Sequence, residues 1–172
     1  EQASFRTGLS PEGHGMFCNG LYNPGMCRTF FWEQSANLVK GSRIWDDFRM
    51  KGGKIASLFW QQSLGENADI ILSPAPIHKH HGGIIDLCHG RPVDLYSRLC
   101  DKTGKRFKLS SYWGPFASDL SSDWIVSATI EVLKDAKAPF LCMTYVPLLD
   151  YELQRYGPEH PKSIKALKQT MD

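Results

Sequence analysis

The chain carries 172 residues, one domain's worth of polymer where domains run to roughly 100–200 residues. Apolar residues at 42% and aromatic residues at 12% exclude a disordered chain, and a net charge of +2 is too balanced to point to a nucleic-acid polymer as partner. No apolar run approaches the roughly 18–20 residues of a membrane span, and no stretch reads as a signal peptide.

Taken in chain order, the first feature is Thr7-Gly8-Leu9-Ser10-Pro11-Glu12-Gly13-His14-Gly15, a stretch that turns sharply at its glycines and at Pro11. Its spacing is neither GxGxxG nor a Walker loop, so a nucleotide cradle is not expected. Asn19, just beyond it, carries an amide suited to an anionic oxygen; the competing reading is a turn Asn at positive φ. Residues 43–51, with Ile44, Trp45 and Phe48, read as an amphipathic helix leading into an apolar strand over 54–60. A second strand is expected at 69–72, closed by Ser73-Pro74-Ala75-Pro76.

From 61 to about 121 the periodicity weakens and the stretch reads as a loop-rich elaboration with one helix near 93–100. It contains His78-Lys79-His80-His81, with His89 nearby, which lacks Cys or carboxylate partners at ligand spacing and reads as a solvated loop. Lys102, Lys105, Arg106 and Lys108 surround a turn that could touch phosphate and is otherwise a solvated, hairpin-like turn. Phe31-Trp32 and Trp113 are aromatic faces suited to a base or to the core.

The strongest helix covers 122–137, with Asp123 as its cap and an inner stripe of Ile125, Val126, Thr129 and Val132. A fully apolar strand follows at 140–146 and stops at Pro147. Two helix–strand units with near-continuous apolar strands imply an α/β fold, a mainly parallel sheet with helices on both faces. In such sheets the chemistry sits beyond the carboxyl ends of the strands, which singles out Asp150 after strand 140–146. A carboxylate there, with polar Gln154 four positions on, can ligate a hard divalent ion; Asp150 can equally cap the helix starting around Tyr151. The five cysteines, Cys18, Cys27, Cys88, Cys100 and Cys142, are scattered without a CxxC pair, which suits reduced thiols and a compartment such as the cytoplasm without deciding it.

The turn at 7–15 with Asn19 and Leu21-Tyr22-Asn23-Pro24 after it, and Asp150-Tyr151-Glu152-Leu153-Gln154-Arg155-Tyr156-Gly157-Pro158, together resemble the type I phosphodiesterase/nucleotide pyrophosphatase branch of the alkaline phosphatase superfamily. Members carry T-G-x-x-P-x-x-H-G followed by an Asn, and later D-x-x-G-H-x-x-G-P after a strand. The likeness covers residues 1–60 and 122–172 and is similar in particular to bacterial members reading L-P-H-L-D-Y-x-L-Q-R-x-G-P.

The resemblance implies an alkaline-phosphatase-like core and hydrolysis of phosphodiester or nucleotide pyrophosphate bonds in small molecules. It implies two divalent ions, zinc-type or alternatively manganese, bridging a threonine nucleophile. Carried over, Asp150 ligates one ion, Asn19 donates to a phosphate oxygen, and Gln154 occupies the place of a histidine ligand. Leu148 likewise stands where the bacterial subgroup has His. The nucleophile is expected a few residues before Glu1 and the remaining ligands beyond Asp172, so the enzyme reading belongs to a parent protein of which this is an internal piece. The alternatives are a non-catalytic binding module on the same fold, favoured by Gln154 and Leu148, and a phosphonate or sulfate-ester hydrolase of the same superfamily.

Overall fold

Side-chain alternation along Lys54–Leu58 organises the layers: Ile55 packs to one side, Ala56 and Leu58 to the other, and all three are fully buried. A computed structural model describes residues 1–79 and 81–171. The N-terminal quarter comprises α1 (Gln2–Thr7), α2 (Pro11–His14) and an antiparallel hairpin of β1 (Gly20–Asn23) and β2 (Arg28–Phe31). There follow α3 (Asp46–Met50), β3 (Lys54–Leu58), β4 (Ile70–Pro74), a small hairpin of β5 (Ile77–His78) and β6 (Ile84–Ile85), then β7 (Cys88–Arg91). The remainder is α4 (Leu95–Thr103), α5 (Leu109–Tyr112), α6 (Asp119–Lys134), β8 (Phe140–Thr144), α7 (Leu148–Tyr156) and α8 (Pro161–Met171).

The central sheet runs β7-β4-β3-β8, with β3 parallel to both β4 and β8 and β7 antiparallel at the edge. The two expected strands therefore pair directly and in parallel, Lys54 opposite Phe140 through Leu58 opposite Thr144. On one face Leu58, Leu72 and Phe59 pack with Leu99 of α4, Tyr112 of α5 and Trp124, Ile125 and Val132 of α6. On the other, Ile55, Ile71 and Met143 pack with Trp45 and Phe48 at α3. Gly53 makes that second packing possible: a Cβ there would lie 2.3 Å from the Phe48 ring.

Several boundaries differ from the sequence expectation. The strand read over 54–60 stops at Leu58 because Phe59 turns to φ 62° to enter the core, and 140–146 stops at Thr144. The second strand continues through Ser73 to Pro74 rather than closing there, pairing with β7. The helix starts at Asp119, not 122, so Asp123 is an interior residue, and α3 is only five residues long. Its buried face is Trp124, Ile125, Ala128 and Val132, while Val126 is exposed and Thr129 bonds to Thr144 at 3.1 Å between hydroxyls. The basic stretch is no hairpin: Gly104, at φ 69°, ends α4 and the chain crosses to α5.

Candidate active site

β3 and β8 end side by side, and the chain leaving each of them builds one wall of an open cleft of about 520 Å³. Gln61 arrives from β3, and Tyr145, Pro147 and Asp150 arrive from β8. The turn after α2 brings Asn19 to the same cleft. The two residues singled out at opposite ends of the sequence thus share a single concavity beyond the carboxyl ends of the parallel strands.

Asn19 is exposed, and its backbone is not at positive φ, which overturns the turn-Asn reading. Its carbonyl accepts the Trp32 N–H at 2.8 Å, and Trp32 is held at φ 56° as it does so. Trp32 in turn stacks on Trp113, ring centroids 5.0 Å apart and planes 21° from parallel. With Phe31 these rings form an aromatic wall along the cleft, Phe31 and Trp113 being exposed. Neither Phe31 nor Trp113 is spent on the core.

Asp150 is the third residue of α7, and Pro147 occupies the cap position, so Asp150 is not the N-cap. Its place in the first turn is one where a helix favours negative charge. Asp150 Oδ2 accepts the Gln154 amide N–H at 2.8 Å and the Tyr145 hydroxyl at 3.3 Å. Burial, and after it the charge of Asp150, raises the Tyr145 phenol, which therefore stays a neutral donor. Sequence reasoning passed over Tyr145; its position directly after a buried parallel strand was the available signal. Tyr151 anchors the helix from below: its hydroxyl donates to the Tyr112 carbonyl and lies 3.3 Å from Ser121 Oγ. Burial pushes the Tyr151 phenol up to about 12.

His14 is fully buried, its Nδ1 accepting the Met16 N–H at 3.0 Å and its Nε2 2.9 Å from Ser4 Oγ. It holds the turn that carries Asn19 and does not face the cleft. In the histidine tract His78 lies in β5 and is exposed, His81 is exposed, and His80 falls outside the described residues.

Among the described residues no three His, Cys, Asp or Glu side chains converge. On this side of the cleft the side chains that could meet a divalent ion are one anionic donor, Asp150, and one neutral amide, Gln154, whose N–H side is turned to the carboxylate. That set suits a share of an oxygen-rich coordination shell and not a closed tetrahedral zinc centre.

The family model described as type I phosphodiesterase / nucleotide pyrophosphatase matches residues 1–170. The chain belongs to this family. No curated protein matches it. Among solved structures, phosphonoacetate hydrolase from Sinorhizobium meliloti 1021 is similar in fold, both in complex with phosphonoformate (15% identity, TM-score 0.50) and in complex with phosphonoacetate (16%, 0.52). The match takes in 95% and 96% of this chain and 38% of that one, so the chain spans well under half the length of the enzyme it resembles. As a member of the family the chain has the expected mixed α/β core of the alkaline phosphatase superfamily, with its mainly parallel sheet.

Proposed function

We propose that the protein hydrolyses phosphodiester or nucleotide pyrophosphate bonds of a small-molecule substrate bound in this cleft. The observation that carries the reading is the convergence of Asn19 and Asp150 beyond the ends of β3 and β8. In this reading the Asn19 amide donates to a non-bridging phosphate oxygen, a contact whose loss in comparable sites costs about 10²–10³ in kcat. Asp150, oriented by Gln154 and Tyr145, holds one of two divalent ions, zinc or manganese, with Gln154 as a weak neutral partner. When bound, such ions supply positive charge to the phosphate oxygens and to a threonine hydroxyl that the family's spacing puts before Glu1. Trp32 and Trp113 offer a face to an aromatic substituent, a base or an aryl group, where stacking is worth about 1–3 kcal/mol.

A second reading keeps the cleft as a binding site without turnover. It is favoured by Gln154, a neutral side chain whose N–H already donates to Asp150. The two are separated by assaying bis(p-nitrophenyl) phosphate hydrolysis in the full-length protein with added Zn²⁺ or Mn²⁺, alongside p-nitrophenyl phenylphosphonate and p-nitrophenyl sulfate. The expected result is diester turnover that Asp150→Ala abolishes and Asn19→Ala cuts by about 10²–10³ in kcat. Full activity in Asp150→Ala removes Asp150 from the site, a preference for the phosphonate or sulfate moves the reaction class, and no turnover of any substrate supports the binding module.

A further inference from the structure

The basic stretch at the end of α4 and just beyond it, Lys102 to Lys108, does not line the cleft and has no part in the proposed reaction. Lys102 is tied down, its ammonium 2.9 Å from Asp135 and 3.7 Å from Glu131. Lys105, Arg106 and Lys108 differ: all three are exposed and none forms an ion pair among the described residues. They line one groove of about 400 Å³ between this loop and the first half of α6. The exposed Leu120, the buried Trp124 and Ser127 also line it. Asp123 is the carboxylate that opposes them, leaving an excess of two positive charges around a partly apolar concavity.

The loop that presents these cations is fastened at several points. Trp124 Nε1 donates to the Lys105 carbonyl at 2.9 Å and Thr103 Oγ1 to the same carbonyl at 3.1 Å. Phe107 is in the core, and the Leu109 N–H donates to Asp86 at 3.0 Å. A fixed backbone means that a ligand orders only side-chain tips, which lowers the entropic cost of binding. Unpaired cations on a fixed frame beside the exposed Leu120 suit an anion attached to an apolar body.

We propose that this groove is a second ligand site for a small organic phosphate, a phosphate or polyphosphate group gripped by Lys105, Arg106 and Lys108 with its apolar part against Leu120 and Trp124. It is distinct from the catalytic cleft, since α5 stands between them: Ser111 faces the groove, whereas Tyr112 and Trp113 face the cleft.

The test is an NMR titration of the ¹⁵N-labelled chain with phenyl phosphate, tripolyphosphate and, as the neutral counterpart, benzyl alcohol. Phenyl phosphate is expected to shift the backbone amides of 105–108 and the Trp124 indole N–H saturably, and benzyl alcohol to leave them in place. The double variant Arg106→Gln/Lys108→Gln is expected to weaken binding by about tenfold or more, and added salt to weaken it in parallel. Asp123→Asn, which removes the opposing charge, is expected to tighten it, a gain that misfolding cannot mimic. Shifts confined to the Trp32 and Trp113 indoles, an affinity unchanged in the double variant, or no saturable shift would each overturn the proposal. So would a single-stranded RNA oligomer that shifts the same amides more tightly than either phosphate, since the ligand would then be a nucleic acid.

Discussion

Glu66→Ala probes the charge cluster that ties the N-terminal turn to the rest of the fold. Glu66 is buried and accepts from Arg43 Nε at 2.9 Å and from Arg6 Nη1 at 3.4 Å. Arg6 is only 1% exposed; its Nη1 also donates to the Gln62 carbonyl at 2.9 Å, while Nε and Nη2 have no partner among the described residues. Burial draws the Arg6 pKa down to about 10 against the pull of Glu66 in the other direction. Without Glu66 the buried cation keeps one neutral acceptor. Breaking a buried pair in this way costs about 3–5 kcal/mol. Arg43 retains the Gly41 and Val39 carbonyls at 2.6 and 3.1 Å, so the loss falls on Arg6 and the lower end applies.

For a chain of this size, about 3 kcal/mol corresponds to a fall of roughly 6–12 °C in Tm. Thermal and urea unfolding followed by near-UV circular dichroism measures it. Glu66→Gln, which keeps an acceptor oxygen, should lose less than Glu66→Ala. The double variant Arg6→Met/Glu66→Met should recover most of the loss, because it removes the stranded charge together with its partner. A loss in Glu66→Ala below about 1 kcal/mol, the range of an exposed ion pair, refutes the reasoning. So does a double variant no more stable than the single one.

Two further outcomes concern the same scaffold. Burial lowers the His14 pKa, so the unfolded chain takes up its proton first; the stability His14 contributes is complete above its unfolded pKa of about 6.5 and is lost as pH falls through that region toward the lower folded value. The urea midpoint should therefore drop on acidification from neutral pH, and His14→Gln should flatten that part of the profile. Gly53→Ala drives a methyl group into the Phe48 ring and should cost about 1–3 kcal/mol in urea unfolding, a loss that Gly53→Ala/Phe48→Leu partly restores.

Strands β3 and β8, their parallel pairing and the position of Asp150 were legible because continuous apolar runs next to helical periodicity admit few arrangements. Their ends were not, since Phe59 and Tyr145 are as apolar as the strands they follow and leave the sheet for tertiary reasons, one to the core and one to the cleft. β7 was hidden altogether: Cys88-His89-Gly90-Arg91 has no strand-like pattern, and only its pairing to the outer side of β4 makes it one. Gly90 is needed there because a Cβ would meet Leu95, the Pro92 carbonyl and the Tyr96 nitrogen at 3.2 Å. Asn19 was found by its place in a motif, whereas the Trp32–Trp113 stack beside it joins residues far apart in sequence and follows from no local pattern.

Gln154 carries the greatest weight in choosing between an enzyme and a binding module, and its substitution tests whether the cleft takes a metal. It lies one helical turn after Asp150, with its amide N–H 2.8 Å from the carboxylate, so both side chains occupy the same face of α7. An imidazole introduced at this position adds a borderline nitrogen donor to a lone hard oxygen, a change that favours zinc far more than manganese or magnesium. Gln154→His should therefore tighten Zn²⁺ binding to the chain, read by calorimetry, by roughly tenfold or more, with little change for Mn²⁺. Asp150→Ala in the Gln154→His background should cancel the gain, since the new donor would have no partner on its face. Equal zinc affinity in the parent chain and in Gln154→His would mean that this end of α7 does not address a metal, and the assignment of Asp150 as a ligand would go with it.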